Sequence, residues 1–293
     1  MRELVRVKQL EFVGGGWAMH DEVIPTPFAL IHQMRAGHEW LLQHLGVRPR
    51  VAWQIDPFGH SIMTPSLWAL MGFDAFVGNR VHYRVKYWLK AHRQLEFIWH
   101  GGDVGAAAHD SDMFTHILSN HYSFPDGVSA ERDDFVPITL ENIASRASSF
   151  VDDMFTRLAG VQTRHMLIPM GDDFTYVDAA GQFKVMDALL AEIQSNPTRY
   201  GCTASYGTLS EYFAAVFHEA TVPGAMVYDS VYELVKFTGA SLPSPTPAAD
   251  QIGRTPLKFP VMQGEFLPYA DPMDVYWGGV FTTRPSIKIV ARR

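Results

Sequence analysis

Short apolar strands alternate with capped helices along the first part of this sequence. Both predicted helices begin at a Thr-Pro pair and end at a glycine, the usual signals for starting and ending a helix. In order, the elements are a helix at 26–46, a strand at 51–55, a helix at 64–72 and a strand at 75–78. Gly37, inside the first helix, is an unfavourable residue there. The spacing is typical of βα units and predicts an α/β fold with a parallel sheet.

The alternation resumes after a polar, turn-rich stretch at 101–134. The predicted elements are a helix through 143–158, a strand from His165 to Met170, a helix from about Phe183 to Ile193, a strand near 200–204 and a helix capped by Thr208. From 221 to 260 the chain is rich in Pro and Ser, which predicts a long surface loop. A chain of 293 residues can form one large domain or two small ones.

Carboxylates at the ends of predicted strands are the candidate catalytic groups. Asp56 follows the first strand on a turn made by Pro57 and Gly59, and the pair Asp172 and Asp173 follows a later strand. Because parallel strands end at one rim of the sheet, we expect these carboxylates to face the same mouth. Two carboxylates flanking a bond are the minimum for glycoside hydrolysis. The simpler alternatives are a turn-forming Asp-Pro pair at Asp56 and a helix cap at Asp172 or Asp173.

Three other side chains could take part in chemistry. Arg80 follows the second strand and could bind a substrate hydroxyl, pair with an aspartate or lie at the surface. His20 is a conceivable metal ligand, although its neighbours Asp21 and Glu22 point in other directions and partners would have to come from elsewhere. His60 fits a hydrogen-bond donor behind the site better than a metal ligand.

Composition limits the class of partner. The net charge of −7 argues against nucleic-acid and membrane-surface binders, which need a basic face, so we expect a neutral substrate. Aromatic residues make up 13% of the chain and could provide platforms for sugar rings. Cys202 is the only cysteine, so a metal would need His, Asp or Glu ligands. No run approaches the roughly 20 apolar residues of a membrane span, and the oligomeric state cannot be predicted.

Six motifs occur in an order that is specific to one enzyme family. They are the segments Gly16–Glu22, Trp53–Ser61, Met71–Asp74, Gly171–Phe174, Pro268–Asp271 and Tyr276–Pro285. With these motifs the chain resembles the family 38 α-mannosidases, most closely the lysosomal type. The resemblance covers nearly the whole chain, residues 1–293, as a central part of the N-terminal catalytic domain. It implies an incomplete version of the parallel (β/α) barrel-like fold of these glycoside hydrolases.

The resemblance also implies a mechanism and a site. The family is made of retaining hydrolases of terminal α-mannosyl residues with one active-site zinc ion, and they act in the lysosome or secretory pathway. Asp56 matches the nucleophile, which is also a zinc ligand, and Asp173 matches the acid/base. The positions that match residues lining the sugar site are Phe58, Arg80, Tyr122 and Asp172. The expected partner is an α-mannoside glycan.

The chain departs from the family pattern in its zinc ligands. Of four expected protein ligands it contains one, Asp56, because it has neither the His-x-Asp motif nor the His-His-Asp motif of the family. The family's first strand, helical bundle and large β domains are also not represented. We therefore expect this polypeptide alone to be inactive and poorly soluble.

Two other functional classes remain open at this stage. The chain could be a non-catalytic remnant that binds sugar or a protein through its aromatic surface, or a pseudogene product without function. A metal-dependent deacetylase on a related barrel is a weaker alternative, since its site needs clustered Asp and His ligands. Binding of mannose without turnover would distinguish a remnant from an enzyme.

Overall fold

The computed structural model describes residues 1–21, 26–101, 112–220 and 259–291. The Pro- and Ser-rich loop predicted at 221–260 falls, up to residue 258, outside the described residues. Within the described ranges, no helix is both long enough and apolar enough to cross a membrane.

Helices and strands alternate between residues 27 and 100, and four helices follow one another between residues 143 and 220. The described helices are α1 (Arg2–Arg6), α2 (Pro27–Leu45), α3 (Met63–Leu70), α4 (Tyr83–Ala91), α5 (Ile143–Leu158), α6 (Ala179–Ser195), α7 (Pro197–Tyr200), α8 (Leu209–Ala220), α9 (Gly279–Thr282) and α10 (Pro285–Ala291). The described strands are β1 (Val51–Gln54), β2 (Ala75–Gly78), β3 (Glu96–His100), β4 (Asp112–Ile117) and β5 (Val261–Gln263).

The five strands form one sheet in the order β1-β2-β4-β3-β5. Strands β1, β2 and β4 are parallel, and β3 is parallel to β5 but antiparallel to β4. The α/β class is thus confirmed, whereas the sheet is mixed rather than wholly parallel. Eleven residues separate β3 from β4 along the chain, and parallel pairing needs a crossover of about a dozen residues or more, so a connection of this length fits the antiparallel pair.

The central strands are buried on both faces, which explains their continuous apolar runs. On β2, Phe76 joins a cluster with Trp68 of α3 and Leu89 of α4. Val77, on the opposite face, belongs to a cluster with Phe213 and other residues of α8. A third cluster packs α5 against α6 beside the sheet. The sheet is therefore held between layers of helices, with its strand ends free to carry polar side chains.

Two of the predicted strands are wrong. The predicted helices are confirmed except for the start of α3, which begins at Met63 after Ile62 and has no side-chain cap, so Thr64 is not its N-cap. Residues 165–170 form no ladder, and the next residue, Gly171, makes an isolated bridge with Ser123. Leu167 and Ile168 still pack against the cores, which accounts for their apolar character. In the segment 200–204, Tyr200 ends α7, Gly201 is its cap, and the remaining residues form no strand. Apolar residues mark burial in both segments, and burial alone does not supply a neighbouring strand.

A close approach of two backbones explains the glycine inside α2. The helix starts as predicted, because the Thr26 hydroxyl accepts a hydrogen bond from the Ala29 amide at 3.2 Å. At Gly37, an added Cβ would lie 2.2 Å from the Gly15 carbonyl oxygen and 2.7 Å from the Trp17 nitrogen. The segment that contains Gly15 and Trp17 therefore crosses α2 at Gly37, where the helix has no side chain.

We predict that Gly37→Ala destabilises the chain even though alanine is the better helix former by about 1 kcal/mol. Because the added methyl group meets backbone atoms that cannot rotate away, the free energy of unfolding should fall by about 1–3 kcal/mol. Urea denaturation measures this change. Gly207→Ala is the control, since the nearest atom to its new Cβ is 3.8 Å away. Equal stability of the two variants would contradict the crossing.

Candidate functional site

Three strand ends bring the predicted site residues together. Asp56 follows β1, Arg80 follows β2 and Tyr122 follows β4. These three strands are parallel neighbours, so their carboxyl ends lie along one rim of the sheet. The loop that carries Asp173 reaches the same rim through the bridge between Ser123 and Gly171.

The turn after Asp56 is held by a distant segment. The amide of His60 donates to the carbonyl of Phe266 at 3.1 Å, and the amide of Phe266 donates back at 2.8 Å. Gly59 has a φ of +93°, and a Cβ there would lie 2.5 Å from the Phe266 carbonyl oxygen. Only glycine satisfies both conditions without strain. The chain direction immediately after Asp56 is therefore set by this close contact.

An ion pair joins Asp56 to Arg80. The Nε and one terminal nitrogen of Arg80 donate to the same oxygen of Asp56, Oδ1, at 2.9 Å and 2.6 Å. The Arg80 side chain is 9% exposed and that of Asp56 is 54% exposed. Burial lowers the pKa of Arg80, but hydrogen bonds to Asp56 and Tyr269 and the charge of Asp56 outweigh it and raise the pKa overall. The pair thus presents a carboxylate at the mouth above a buried cation.

Four aromatic rings surround the Arg80 guanidinium. Its central carbon lies between 5.1 Å and 5.7 Å from the ring centres of Phe58, Tyr122, Tyr269 and Trp277. Such cation–π contacts stabilise a guanidinium that has lost most of its water. Tyr269 and Trp277 were not among the predicted site residues, although both lie in the late motifs. Their proximity to Asp56 depends on the fold and is not visible in local sequence.

The carboxylate of Asp271 organises the loop that carries Trp277. One oxygen, Oδ2, accepts from the Trp277 indole at 3.0 Å, and Oδ1 accepts from the amides of Met273 and Val275 at 2.9 Å and 3.2 Å. The indole hydrogen bond is the main reason that the pKa of Asp271 is lowered, and the two amides add to it. The ionised Asp271 therefore keeps the Trp277 ring facing Arg80.

The hydroxyl of Tyr122 lies between the two candidate catalytic carboxylates. It is 3.2 Å from Oδ1 of Asp56 and 3.4 Å from Oδ1 of Asp173, so it can donate to either one. Burial, followed by the negative charge of Asp56, raises the pKa of Tyr122 to about 12. The phenol is therefore protonated at neutral pH and acts as a donor.

Asp172 and Asp173 lie in an exposed turn and cap no helix. The amide of Asp173 donates to Oδ1 of Asp172 at 2.9 Å, and the amide of Asp172 donates to the Thr175 hydroxyl at 3.1 Å. The helix that follows, α6, is capped instead by Asp178, which accepts from the Gly181 amide. The helix-cap alternative for Asp172 and Asp173 is therefore wrong. Asp172 shapes the turn that presents Asp173.

The two histidines singled out in the sequence are both packed against neighbouring side chains. His20 is bonded through its ring nitrogens to Gln33 and Gln54, each at 3.0 Å. The His60 ring is fully buried and contacts Phe76 and Trp99. In the described part of the chain, no group of three or more His, Cys, Asp or Glu residues is arranged to hold a metal ion. A protein zinc site needs at least three such ligands.

Residues 1–238 match the family model described as glycosyl hydrolases family 38 N-terminal domain. The chain is 33% identical to alpha-mannosidase 2 of Arabidopsis thaliana and 32% identical to alpha-mannosidase 2 of Homo sapiens, in both cases over 100% of this chain and 25% of the relative. It is 31% identical to the lysosomal alpha-mannosidase of Dictyostelium discoideum, over 100% of this chain and 26% of that protein. The chain thus spans about a quarter of the length of these relatives.

One solved structure supports the fold. A crystal structure of an alpha-mannosidase from Enterococcus faecalis matches 90% of this chain and 23% of its own, with a TM-score of 0.55 and 16% sequence identity. At this identity the match is evidence for the fold alone.

We predict that Arg80→Lys destabilises the chain by about 1–3 kcal/mol although it keeps the positive charge. A lysine ammonium has a single nitrogen and no planar surface, so it cannot bond Asp56 through two nitrogens while it faces the four rings. Urea denaturation provides the measurement. The matched control is Arg84→Lys. The Arg84 side chain is 69% exposed and pairs with Asp274 at the surface, so this substitution should change the free energy of unfolding by no more than about 0.5 kcal/mol. A loss at Arg80 no larger than that at Arg84 would contradict the role given to the buried pair.

Proposed function

The chain belongs to glycosyl hydrolase family 38, whose N-terminal domain it matches over residues 1–238, and we propose that it carries the catalytic carboxylates of an enzyme that hydrolyses terminal α-mannosyl residues of glycans. The named relatives are α-mannosidases. The observation that supports the proposal most is the placement of Asp56 and Asp173 on either side of the Tyr122 hydroxyl. We further propose that residues 1–293 form part of a single catalytic domain, with 221–260 as a loop within it.

In the first step, Asp56 is the nucleophile. Arg80 and Tyr122 both contact Oδ1, so Oδ2 is the oxygen that attacks the anomeric carbon. The bond from that carbon to the leaving glycan oxygen breaks, and an ester between the mannosyl group and Asp56 forms. The exposed half of the Asp56 side chain gives the sugar access. Arg80 orients the carboxylate through two hydrogen bonds to Oδ1.

Asp173 is the acid and then the base. In its protonated form it gives its proton to the leaving oxygen as the glycosidic bond breaks. In the second step, the Asp173 carboxylate takes a proton from a water molecule, and the water oxygen attacks the anomeric carbon and releases Asp56. Mannose leaves with the configuration that it had in the substrate. The exposed turn of Asp172 and Asp173 lets water and the leaving group reach this carboxyl group.

The walls of the site fit a neutral sugar. Phe58 and Trp277 present half-exposed aromatic surface beside Arg80, and such surface packs against the C–H groups of a pyranose ring. Asp172 provides an acceptor for sugar hydroxyl groups, and Tyr122 provides a donor. We propose these residues, together with Arg80, as the lining of the mannosyl subsite.

The zinc ion implied by the family does not fit the described residues on their own. Asp56 is a possible ligand, but its Oδ1 is bonded to Arg80, and the described ranges provide no group of three ligands around it. We therefore derive no step through a metal. We propose that turnover requires ligands beyond those described and that the 293-residue chain alone is inactive.

The cellular location follows only by analogy. One relative is named a lysosomal alpha-mannosidase. We propose that the protein containing this chain acts in the lysosome or elsewhere in the secretory pathway.

We predict that Asp56→Asn lowers kcat by at least about 10³-fold in the longest protein that the gene encodes, because the amide is a poor nucleophile.

Asp173→Asn should lower kcat by about 10²–10⁴-fold with an alkyl α-mannoside, which needs protonation of its leaving oxygen. The loss in the first step should be small with a dinitrophenyl α-mannoside, whose leaving group needs no proton. Release of the phenol and of mannose measures the two steps separately.

Asp152→Asn, an exposed change on α5, is the control and should leave kcat unchanged. Full activity of Asp56→Asn would remove the nucleophile from the proposal. If wild-type protein binds mannose and does not hydrolyse α-mannosides under any condition, the chain is a sugar-binding remnant and the proposed reaction is wrong. Zinc-dependent turnover by the isolated 293-residue chain would contradict its proposed inactivity.

A further inference from the structure

A second set of polar residues contacts the loops that carry Asp56, Arg80 and Tyr122. Lys86 of α4 donates from its Nζ to Oδ1 of Asn79 at 2.8 Å and to the backbone carbonyl of Asn120 at 3.3 Å. Asn79 is fully buried, and its Nδ2 donates to the backbone carbonyl of Ile55 at 2.9 Å. We call Asn79, Lys86 and the carbonyl of Asn120 the polar bracket.

Each contact of the polar bracket is next to a residue of the site. Ile55 precedes Asp56, Asn79 precedes Arg80, and Asn120 lies two positions before Tyr122. The bracket therefore joins the three loops that follow β1, β2 and β4, at the level where the strands end.

The sheet itself does not hold these loops together. The last ladder pairs are Gln54 with Gly78 and Gly78 with Ile117. One further backbone bond, from Leu118 to Gly78, extends the β2–β4 side. Beyond it, side chains must set the separation of the loops, because backbone pairing has ended. The hydrogen bonds of Asn79 and Lys86 occupy that position.

We propose that Asn79 and Lys86 are positioning residues that hold Asp56, Arg80 and Tyr122 at the separations needed for the reaction. This inference rests on the proposed function for its kinetic consequence, although the geometry can be tested without turnover. Both residues act through the loops that they join, so we assign neither of them a catalytic role. A displacement of about 1 Å in a reacting group can cost about 10²-fold in rate, which makes such a bracket important.

The environment of Lys86 lowers the pH at which this side chain loses its charge. Burial, followed by the positive charges of Arg80 and Lys90, lowers the pKa of Lys86 from 10.5 to about 7. His121 also lies close enough for its own pKa to be lowered, by burial first and then by Arg80 and Lys86. Both protein partners of Lys86 are neutral acceptors, so either form of the amine can donate to them.

The sign of the linkage is set by the lowered pKa. The folded chain binds the Lys86 proton less tightly than the unfolded chain does. Burial of the charged lysine therefore lowers the free energy of unfolding by its full amount below pH 7, and this loss disappears as the pH rises to 10.5. We predict that the free energy of unfolding gains a positive slope from Lys86 between these pH values. Lys86→Met should remove that slope in urea denaturation at several pH values, whereas exposed Lys184→Met should keep it.

The test of the bracket uses Lys86→Met, with Lys184→Met as the matched control. The first readout is the NMR signal of the Arg80 Nε–H group, which donates to Asp56 and is assigned by its loss in Arg80→Lys. We expect this signal to shift in Lys86→Met and to stay unchanged in the control. The second readout is kinetic: in the longest protein that the gene encodes, we expect kcat to fall about tenfold or more while KM changes less than twofold.

A second variant separates positioning from folding. Asn79→Asp keeps the acceptor for Lys86 but replaces the donor to the Ile55 carbonyl, so it should shift the Arg80 signal and lower kcat in the same way. An unchanged Arg80 signal in either folded variant overturns the proposal, as does a KM effect with kcat preserved. If the wild-type protein hydrolyses no α-mannoside, the proposed function fails, and the Arg80 signal alone decides on the bracket.

Discussion

The buried cation of Arg80 is the constraint on which the rest of the site depends. Removing a guanidinium from water costs several kcal/mol unless a counter-charge and nearby hydrogen-bond acceptors compensate it. Asp56 supplies the charge through Oδ1, and four aromatic rings supply the walls. Because both nitrogens bind the same carboxylate oxygen, the pair also determines which oxygen of Asp56 faces the substrate. The Gly59 turn and the Asp271 loop keep these partners in place.

Much of this arrangement could be predicted from sequence because it follows from local rules. A short apolar strand that ends in a carboxylate predicts a group at the rim of a parallel sheet, and Asp56 occupies such a place. The predicted strand before Asp173 was wrong, yet the carboxylate still reaches the rim, since Gly171 bridges to Ser123. Strands β3 and β4 were not predicted, and β4 lies inside the stretch 101–134 that was interpreted as polar and turn-rich. Their antiparallel pairing depends on contacts that local sequence does not show.

The contacts that could not be predicted are those that join distant segments. Tyr269 and Trp277 reach Arg80 only because the chain near Phe266 pairs with His60, a contact that needs glycine at position 59. Gly37 shows the same limitation in a helix, where local propensity argues against a residue that tertiary packing requires. In both cases the glycine is visible in the sequence, but the close backbone contact that requires it is visible only in the fold.

The central claim is that Asp56 forms a covalent bond to the sugar. The most direct measurement is mass spectrometry of peptides from the longest protein that the gene encodes, after reaction with a fluorinated mannosyl fluoride that forms the ester quickly and releases it slowly. The account predicts one mannosyl adduct, on the peptide that contains Asp56, and none in the Asp56→Asn variant. An adduct on another residue, or hydrolysis that yields mannose of inverted configuration, would contradict it.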